Sequence, residues 1–366
     1  MFACSTLFGQ PYTISTIAGS GTAGAFLSSP TSVVVDPAGD VYVADWSGFI
    51  RKIWVKNGAT TIVAGTGVLG FGGDGGQAVN SNLGRAISIA FDPVGNLYFA
   101  DNDNNRIRRV DRLTGVITTV AGTGADADSG DGGPAVNAGV SRPTGITVDA
   151  AGNLYFSSSW SRVRKLIAGK GTIETVAGQW ITSFGGDNGP ALGALFWDPI
   201  PSVVNPAGDI YIADYENSRV RLVTAKTGIV TTFAGSGACA EAPPFHTMVC
   251  SSGFAGDGGP AKTATLNHAA ALAMDDNGNL YIADTINHRV RKVDASTGLI
   301  HTIAGNGVNG FSGDGGPALA AEISFPVSIA VDRSGKVYFA DESNNRIRVL
   351  TPAVPQLSPF RRGPRH

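Results

Sequence analysis

One phrase, repeated along the chain, restricts the fold more than any other feature of the sequence. Six times a glycine turn is followed by a strand-like segment with a central tyrosine, as in GNLYFAD from Gly95 and GNLYIAD from Gly278. The six tyrosines, at positions 42, 98, 155, 211, 281 and 338, are separated by 56, 57, 56, 70 and 57 residues. A period of this length indicates supersecondary units that repeat and pack on their neighbours.

Each repeat contains four short β segments. In the second repeat these are Ile87–Phe91, Leu97–Ala100, the alternating basic segment Arg106–Val110 and Val116–Val120, which is rich in β-branched residues. No window keeps a helical period for long. Six four-stranded units in series predict an all-β fold, a six-bladed β-propeller.

The two ends of the chain predict how the ring closes. The segment Thr13–Ile17 resembles a fourth strand without a unit before it, and Arg346–Leu350 is a third strand without a fourth after it. We therefore expect the N-terminal strand to complete the last blade, which removes an open edge. The predicted domains are an N-terminal remnant at 1–11, the propeller at 12–351 and a disordered tail or linker at 352–366. The longest gap predicts one insertion.

A glycine-rich acidic phrase recurs between the repeats, as in FSGDGGPA from Phe311. Its aspartates are Asp74, Asp131, Asp187, Asp257 and Asp314. Five copies indicate architecture rather than catalysis, and no Lys-Ser/Thr follows, as a phosphate-binding loop requires. We expect a structural role for these aspartates; calcium binding at one or more of them is the alternative.

A second acidic position ends the second strand of five repeats, with Ser158 in the other. An arginine opens the third strand five residues later in most repeats, for example Asp101 and Arg106. This spacing predicts a repeated ion pair or loop hydrogen bond. The arginines of the RxR phrase are expected to face solvent.

Composition excludes some classes of function and favours a compartment. The formal net charge is −2 without a large basic block, so we expect no nucleic-acid binding. No apolar run approaches the ~18 residues of a membrane span, and we expect a monomer. The start, FACSTLFGQ, resembles the end of an export signal, which predicts a secreted or periplasmic protein. In that compartment Cys239 and Cys250, within the insertion, are expected to form a disulfide.

The order GNLYxAD, NNRIRKV, VAG and GDGGPA resembles the NHL-repeat propellers, particularly those of bacterial exported proteins, over about residues 12–351. The resemblance implies the fold but no single function, because propellers include binders, lyases and hydrolases. In that family the lyase that cleaves hydroxyglycine peptides binds metal through histidines, and related six-bladed enzymes hold calcium on the axis. The five histidines of this chain are scattered, which argues against a three-histidine zinc site.

Positions that differ between repeats are the candidates for function. Two such positions are predicted near the axis on the face that carries the loops between second and third strands, here called the top face. The first, before each innermost strand, reads Ser29, Arg85, Arg142, Asp198, His268 and Phe325. The second, after each second strand, reads Trp46, Asn102, Ser159, Tyr215, Thr285 and Glu342. Together they predict a polar ring suited to a small molecule or anion; ordinary variation at loop ends is the alternative.

Catalytic and ligand-binding roles follow from residue type. His268 is a candidate general base or acid, oriented by Asp198 from the adjacent blade. Arg85 and Arg142 are candidates for binding a carboxylate or phosphoryl group. Trp46 and Tyr215 are candidate aromatic contacts of a ligand.

A metal site is a further candidate within the same ring. Asn102, Asp198 and Glu342 carry the oxygen ligands that calcium prefers, so calcium is the candidate cofactor. The insertion is a candidate lid over the mouth.

The leading interpretation is an exported propeller that binds a small molecule or protein partner at its top face. The alternative is a metal-assisted hydrolase or lyase acting on an ester, lactone or phosphoester there. No G-x-S-x-G nucleophile elbow is present, which disfavours a serine hydrolase. A scaffold within a larger surface protein is a third possibility.

Overall fold

The computed structural model describes residues 12–22, 26–237, 239–242 and 247–353. They form six four-stranded antiparallel sheets arranged in a ring, so the predicted six-bladed β-propeller is confirmed. The predicted remnant at 1–11 and most of the predicted tail, 354–366, lie outside the described residues. No helix in the described ranges is long and apolar enough to cross a membrane.

The strands run blade by blade from the axis outward, after a first strand that belongs to the last blade. The chain starts with β1 (Tyr12–Ala18). The first blade contains β2 (Pro30–Val35), β3 (Val41–Asp45), β4 (Ile50–Ile53) and β5 (Thr60–Ala64). The second contains β6 (Ala86–Phe91), β7 (Leu97–Asp101), β8 (Arg106–Val110) and β9 (Ile117–Ala121). The third contains β10 (Ile146–Val148), β11 (Leu154–Ser158), β12 (Arg162–Ile167) and β13 (Thr172–Gly178).

The second half repeats this pattern with one insertion. The fourth blade contains β14 (Pro199–Val204), β15 (Ile210–Asp214), β16 (Arg219–Thr224) and β17 (Ile229–Ala234). The insertion is a hairpin of β18 (Cys239–Ala242) and β19 (Thr247–Cys250). The fifth blade contains β20 (Ala269–Met274), β21 (Leu280–Asp284), β22 (Arg289–Val293) and β23 (Ile300–Ala304). The sixth contains β24 (Pro326–Val331), β25 (Val337–Asp341) and β26 (Arg346–Pro352).

Single 3₁₀ turns occupy some of the loops. Five lie in the links between blades: Ala78–Asn80, Ala135–Asn137, Ala191–Gly193, Ala261–Thr263 and Ala318–Ala320. Two follow second strands: Asn102–Asn104 and Glu342–Asn344.

The ring closes through pairing of its two ends. The last sheet has the order β1-β26-β25-β24, and Tyr12 lies opposite Pro352 at one end of the β1–β26 pair. The prediction that the N-terminal strand completes the last blade is therefore confirmed. Closure leaves no blade with a missing fourth strand among the described residues.

Turn chemistry explains why each hairpin forms where it does. In the second blade, one carboxylate oxygen of Asp92 accepts the backbone N–H groups of Val94 and Asn96 at 3.0 and 2.8 Å. Gly95 takes a φ of +92°, which a side chain would disfavour. The turn therefore fixes the register between the first and second strands of the blade.

The hydrophobic core lies between neighbouring blades rather than in one central mass. Among the described residues it forms six clusters, each drawing side chains from two adjacent blades. Ile50 of the first blade, for example, belongs to the same cluster as Phe99 of the second, and both are fully buried. Each blade is thus stabilised by its neighbours, as expected for a repeat architecture.

The recurring acidic loops neutralise buried arginines. The second arginine of each RxR phrase in blades two to six has no exposed side-chain surface: Arg108, Arg164, Arg221, Arg291 and Arg348. Each is paired with the aspartate of the preceding GDGG or GDNG loop at 2.6–2.8 Å. The structural role predicted for these aspartates is confirmed, because a buried guanidinium requires a charged partner.

The same arginines correct one expectation and refine another. The prediction that the RxR arginines face solvent is wrong for the second arginine, which lies inside the blade. The aspartate that ends the second strand also pairs with this second arginine, as Asp214 does with Arg221 at 3.1 Å.

In blades two, four, five and six the first arginine instead stacks on the phenylalanine of the loop, as Arg289 does on Phe254 at 3.8 Å. In the third blade Arg162 pairs with Asp128 and is buried, as Arg219 is in the fourth, so the expectation of solvent exposure is also wrong for these two.

The loop glycines let the backbone approach closely. Gly256 has a φ of +84°, and a Cβ there would lie 2.7 Å from the Cα of Ala264. Any side chain at this position would collide with Ala264 and displace the loop. Asp257, the next residue, would then be moved away from the buried arginine that it pairs with.

Candidate functional site

A cavity of about 470 Å³ opens on the axis at the top face. Its walls come from the innermost strands of the six blades and carry mainly aliphatic side chains, Ser and Thr. Its rim is formed by residues at the two positions that differ between repeats and are the candidates for function: Trp46, Asp198, Tyr215, Thr285, Phe325 and Glu342. Half of the predicted twelve-residue ring therefore faces one cavity.

The wall hydroxyls are already used to join blades. Ser32 accepts the backbone N–H of Ile89 at 3.1 Å, and Ser88 accepts that of Ile146 at 3.2 Å. Ser328 closes the ring by accepting the N–H of Val33 at 3.0 Å. These wall oxygens thus already accept a hydrogen bond each, and the acidic groups of the cavity lie at its rim.

The residues before the innermost strands, which form the first of the two variable positions, have a left-handed backbone conformation. Five of the six residues there have φ between +41° and +54°: Ser29, Arg142, Asp198, His268 and Phe325. The preceding blade binds their backbone N–H groups: Asn345 accepts from Ser29 at 2.8 Å, and Ser218 accepts from His268 at 3.1 Å. Contacts between blades therefore hold residues such as His and Phe in a conformation they rarely adopt.

Asp198 is the most perturbed side chain of the rim. Its Oδ1 atom is buried and has no hydrogen-bond partner among the described residues. Burial, followed by repulsion from Glu216 and Asp214, raises the pKa of Asp198 to about 7. Asp198 therefore lines the cavity as an acidic group that is partly protonated near neutral pH and has one oxygen without a hydrogen-bond partner in the described structure.

Tyr215 and His268 form an aromatic pair beside Asp198. Their rings meet edge to face, with centroids 4.9 Å apart. Burial, then the negative charges of Glu216, Asp198 and Glu342, raises the pKa of Tyr215 to about 12. The tyrosine hydroxyl thus stays protonated at neutral pH and lies in a negative field.

The predicted partner of His268 needs correction. Its Nε2 lies 3.3 Å from Glu216 Oε2, and its Nδ1 lies 2.8 Å from the side-chain oxygen of Asn267. The carboxylate that orients the ring is therefore Glu216 rather than Asp198. Glu216 follows Tyr215 in the loop after β15, a position that the comparison of repeats did not single out.

The two arginines of the predicted ring lie outside the cavity. Arg85 forms an ion pair with Asp103 at 2.9 Å and lies 5.2 Å from the Trp46 ring. Arg142 lies 3.7 Å from Asp126, with more than half of its side chain exposed. Among the described residues that line the cavity, the charged ones are the acidic Asp198 and Glu342, which does not favour the anion binding expected from the sequence.

The predicted calcium ligands are only partly brought together. Asp198 and Glu342 line the cavity, whereas the amide of Asn102 donates to the carbonyl of Pro143 at 3.1 Å. Within the described ranges, no group of three or more His, Cys, Asp and Glu is arranged to hold a metal ion.

The inserted hairpin contains the two cysteines singled out in the sequence. Cys239 is disulfide-bonded, and the register places Cys250 directly opposite it. The lid role stays a prediction.

The fold and this cavity define a class of protein, a six-bladed propeller with an axial cavity at its top face. Residues 196–221 and 266–293 match the family model described as the NHL repeat. The chain therefore contains NHL repeats within a six-bladed β-propeller, as the resemblance implied.

Curated relatives match most of this chain over a small part of their own length. Human teneurin-1 is 27% identical over 393 residues, which cover 93% of this chain and 13% of the relative. Mouse teneurin-4 is 30% identical over 371 residues, covering 91% of this chain and 12% of the relative. The chain thus spans about an eighth of these proteins.

Solved structures share the fold at low identity. An auxiliary nutrient binding protein from Bacteroides thetaiotaomicron has a TM-score of 0.64 at 16% identity, covering 94% of this chain and 77% of its own. Virginiamycin B lyase from Staphylococcus aureus has a TM-score of 0.53 at 13% identity, covering 94% and 99%. A gluconolactonase from Xanthomonas campestris has a TM-score of 0.56 at 10% identity, covering 94% and 96%. At these identities the likeness concerns the fold alone.

Proposed function

We propose that this protein binds a small molecule in the top-face cavity. The cavity itself carries the proposal: its volume of about 470 Å³ lies in the range of small-molecule sites. Its walls are apolar, and its few polar groups are concentrated at the rim, which is the usual division between affinity and specificity in such sites. The nutrient-binding neighbour, which shares the fold, supports the same reading.

Two tryptophans of the first blade give a matched test. Trp46 lies on the cavity rim, and Trp54 follows β4 on the opposite face; they are 46% and 41% exposed. A small-molecule library is screened by thermal shift, and each compound that raises the melting temperature is titrated by calorimetry. We expect Trp46→Ala to weaken binding at least tenfold and Trp54→Ala to leave it unchanged. Equal effects of the two substitutions, or no compound that shifts melting, would refute a top-face site.

A hydrolase or lyase activity is the second candidate. It is favoured by the contact of His268 with Glu216, because a carboxylate that orients an imidazole is a common arrangement for general acid–base catalysis. A lyase and a gluconolactonase are among the proteins that share the fold. Esters, lactones and phosphoesters are the substrate classes to assay, with and without chelator and added calcium. His268→Gln should lower kcat about 10²-fold if the imidazole transfers a proton; unchanged turnover would refute this role.

Export to an oxidising compartment belongs to the same proposal. The disulfide at Cys239 supports it, since such bonds persist mainly outside the cytosol. Fractionation of cells that express the natural gene is the test, and a cytosolic protein with reduced thiols would contradict export.

A further inference from the structure

The rim of the cavity combines aromatic rings with negative charge. Trp46, Tyr215 and Phe325 supply three aromatic side chains, and Asp198 and Glu342 supply two carboxylates. No lysine or arginine is among the lining residues that the structure describes. An apolar cavity with acidic side chains and no internal counter-charge is suited to a ligand that brings a positive charge.

Asp198 provides an observation independent of the composition of the rim. Its buried Oδ1 atom accepts no hydrogen bond within the described structure. A buried polar atom without a partner is less stable than one that accepts a hydrogen bond, because it has lost its contact with water and gained nothing in return. A donor on the ligand would remove that cost, and a cationic donor would also offset the repulsion between Asp198 and Glu216.

The arginines near the top face are already engaged elsewhere. Arg85 is paired with Asp103, and Arg142 lies against Asp126. Neither is among the described residues that line the cavity; the Arg85 guanidinium lies 5.2 Å from the Trp46 ring, but its charge is already paired with Asp103. An anionic ligand would meet the acidic side chains of Asp198 and Glu342 without a compensating cation among the described lining residues.

We propose that the ligand is an organic cation, an amine or quaternary ammonium compound with an apolar body. This inference rests on the proposed function, because it names the class of ligand for the same cavity. The apolar body packs on the strand walls, while the ammonium group lies between the aromatic rings and the carboxylates. Ammonium groups are attracted to the faces of Trp and Tyr rings, and protonated amines also donate to carboxylates. An organic cation fits better than a bare metal ion, because three aromatic side chains line the rim and no group of metal ligands is assembled within the described ranges.

Matched probes separate charge from shape. Phenethylammonium, 2-phenylethanol and 3-phenylpropionate have similar apolar bodies with positive, neutral and negative head groups. Choline and 3,3-dimethylbutan-1-ol form a second pair, nearly identical in shape and different in charge. Binding of each probe is measured by calorimetry and by tryptophan fluorescence, with calcium chloride as a separate titrant.

The cationic probes are expected to bind at least tenfold more tightly than their neutral partners, and the anionic probe more weakly still. Asp198→Asn and Glu342→Gln should each weaken cation binding about tenfold, as expected for a lost charge-assisted contact. Asp126→Asn makes the same charge change at an exposed site outside the cavity, and it should leave binding within twofold.

Each alternative outcome has its own meaning. Neutral or anionic probes that bind as tightly as the cations, and depend on Trp46, would overturn the charge inference and preserve the proposed small-molecule site. Calcium binding that depends on Asp198 and excludes the amines would assign the carboxylates to a metal. Weak binding of every probe, insensitive to Trp46→Ala, would overturn both proposals.

Discussion

Replacing Arg291 with methionine tests whether buried arginines hold the links between blades in place. The guanidinium is fully buried and lies 2.6 Å from Asp257 in the loop and 3.6 Å from Asp284 at the end of β21. It also donates to the carbonyls of Thr265 and Ala255 at 2.9 and 3.1 Å. Methionine fills most of the volume but satisfies none of these acceptors.

The expected cost follows from what the substitution leaves behind. Asp284 is fully buried and would lose its cationic partner, which typically costs about 3–5 kcal/mol in the free energy of unfolding. Asp257→Asn should cost only about 1 kcal/mol, because that carboxylate is one-third exposed and Arg291 keeps its contact with Asp284. The double variant Asp284→Asn, Arg291→Met should recover much of the loss, since it removes the unpaired charge.

The pH dependence gives a second criterion. Burial raises the pKa of Asp284 to about 6, against the attraction of Arg291, so removing Arg291 raises that pKa further. A group whose pKa is higher in the folded protein stabilises the fold at low pH and loses that contribution as pH rises through the folded pKa. The deficit of Arg291→Met should therefore be larger at pH 8 than at pH 5.

Urea unfolding followed by tryptophan fluorescence at both pH values measures these quantities. Arg289→Met, two residues away in the same strand, is the control, because Arg289 is partly exposed and its guanidinium donates to the carbonyls of Asn287 and Asn306 and stacks on Phe254, without an ion pair within the described residues. A cost below about 1 kcal/mol for Arg291→Met, or an equal deficit at pH 5 and pH 8, would refute the assignment of these arginines as buried, charge-paired links.

Three further predictions concern the rim, the ring closure and the insertion. Asp198→Asn should raise stability at pH 8 by about 2 kcal/mol, and by less at pH 5, since the wild-type carboxylate has a folded pKa of about 7 and must ionise in a buried site; equal urea midpoints at pH 8 would contradict this. Removing residues 1–18 should cost about 4 kcal/mol through loss of buried Tyr12 and Ile14 and should cause concentration-dependent association through β26; an unchanged urea midpoint and an unchanged elution volume in size-exclusion chromatography would contradict this. Cys239→Ser should speed hydrogen exchange in the inserted hairpin and leave the blades unchanged; faster exchange throughout the fifth blade would contradict a local role.

The ring could be predicted from the sequence because its signals are local and repeated. The tyrosine period defined the blades, and the unmatched segment Thr13–Ile17 indicated how they close. The burial of the second arginine was missed, because period-2 alternation places both arginines of RxR on one face and does not distinguish them. A signal was present: in four of the five blades with an acidic loop, the loop aspartate precedes the buried arginine by 34 residues, as Asp74 precedes Arg108.

The rim was predictable in position but not in side-chain direction. Equivalence between blades placed Arg85 and Asp198 at corresponding sites, yet only Asp198 lines the cavity. Arg85 lacks the left-handed backbone of its counterparts, and both its backbone N–H and its guanidinium bond to Asp103. The partner of His268 was missed for a similar reason, because Glu216 varies in a loop whose path depends on contacts between blades.

The pairing of β1 with β26 also determines how the ring responds to mechanical load. Because Tyr12 lies opposite Pro352, both chain ends leave the propeller at the same end of one antiparallel pair. Tension applied through the two ends would break the hydrogen bonds between β1 and β26 one residue pair at a time, starting at Tyr12 and Pro352, instead of loading all of them together. The last blade closes the ring and so stabilises it against heat and denaturant. Under a pulling force it would be the first blade to unfold, and the other five would unfold after it.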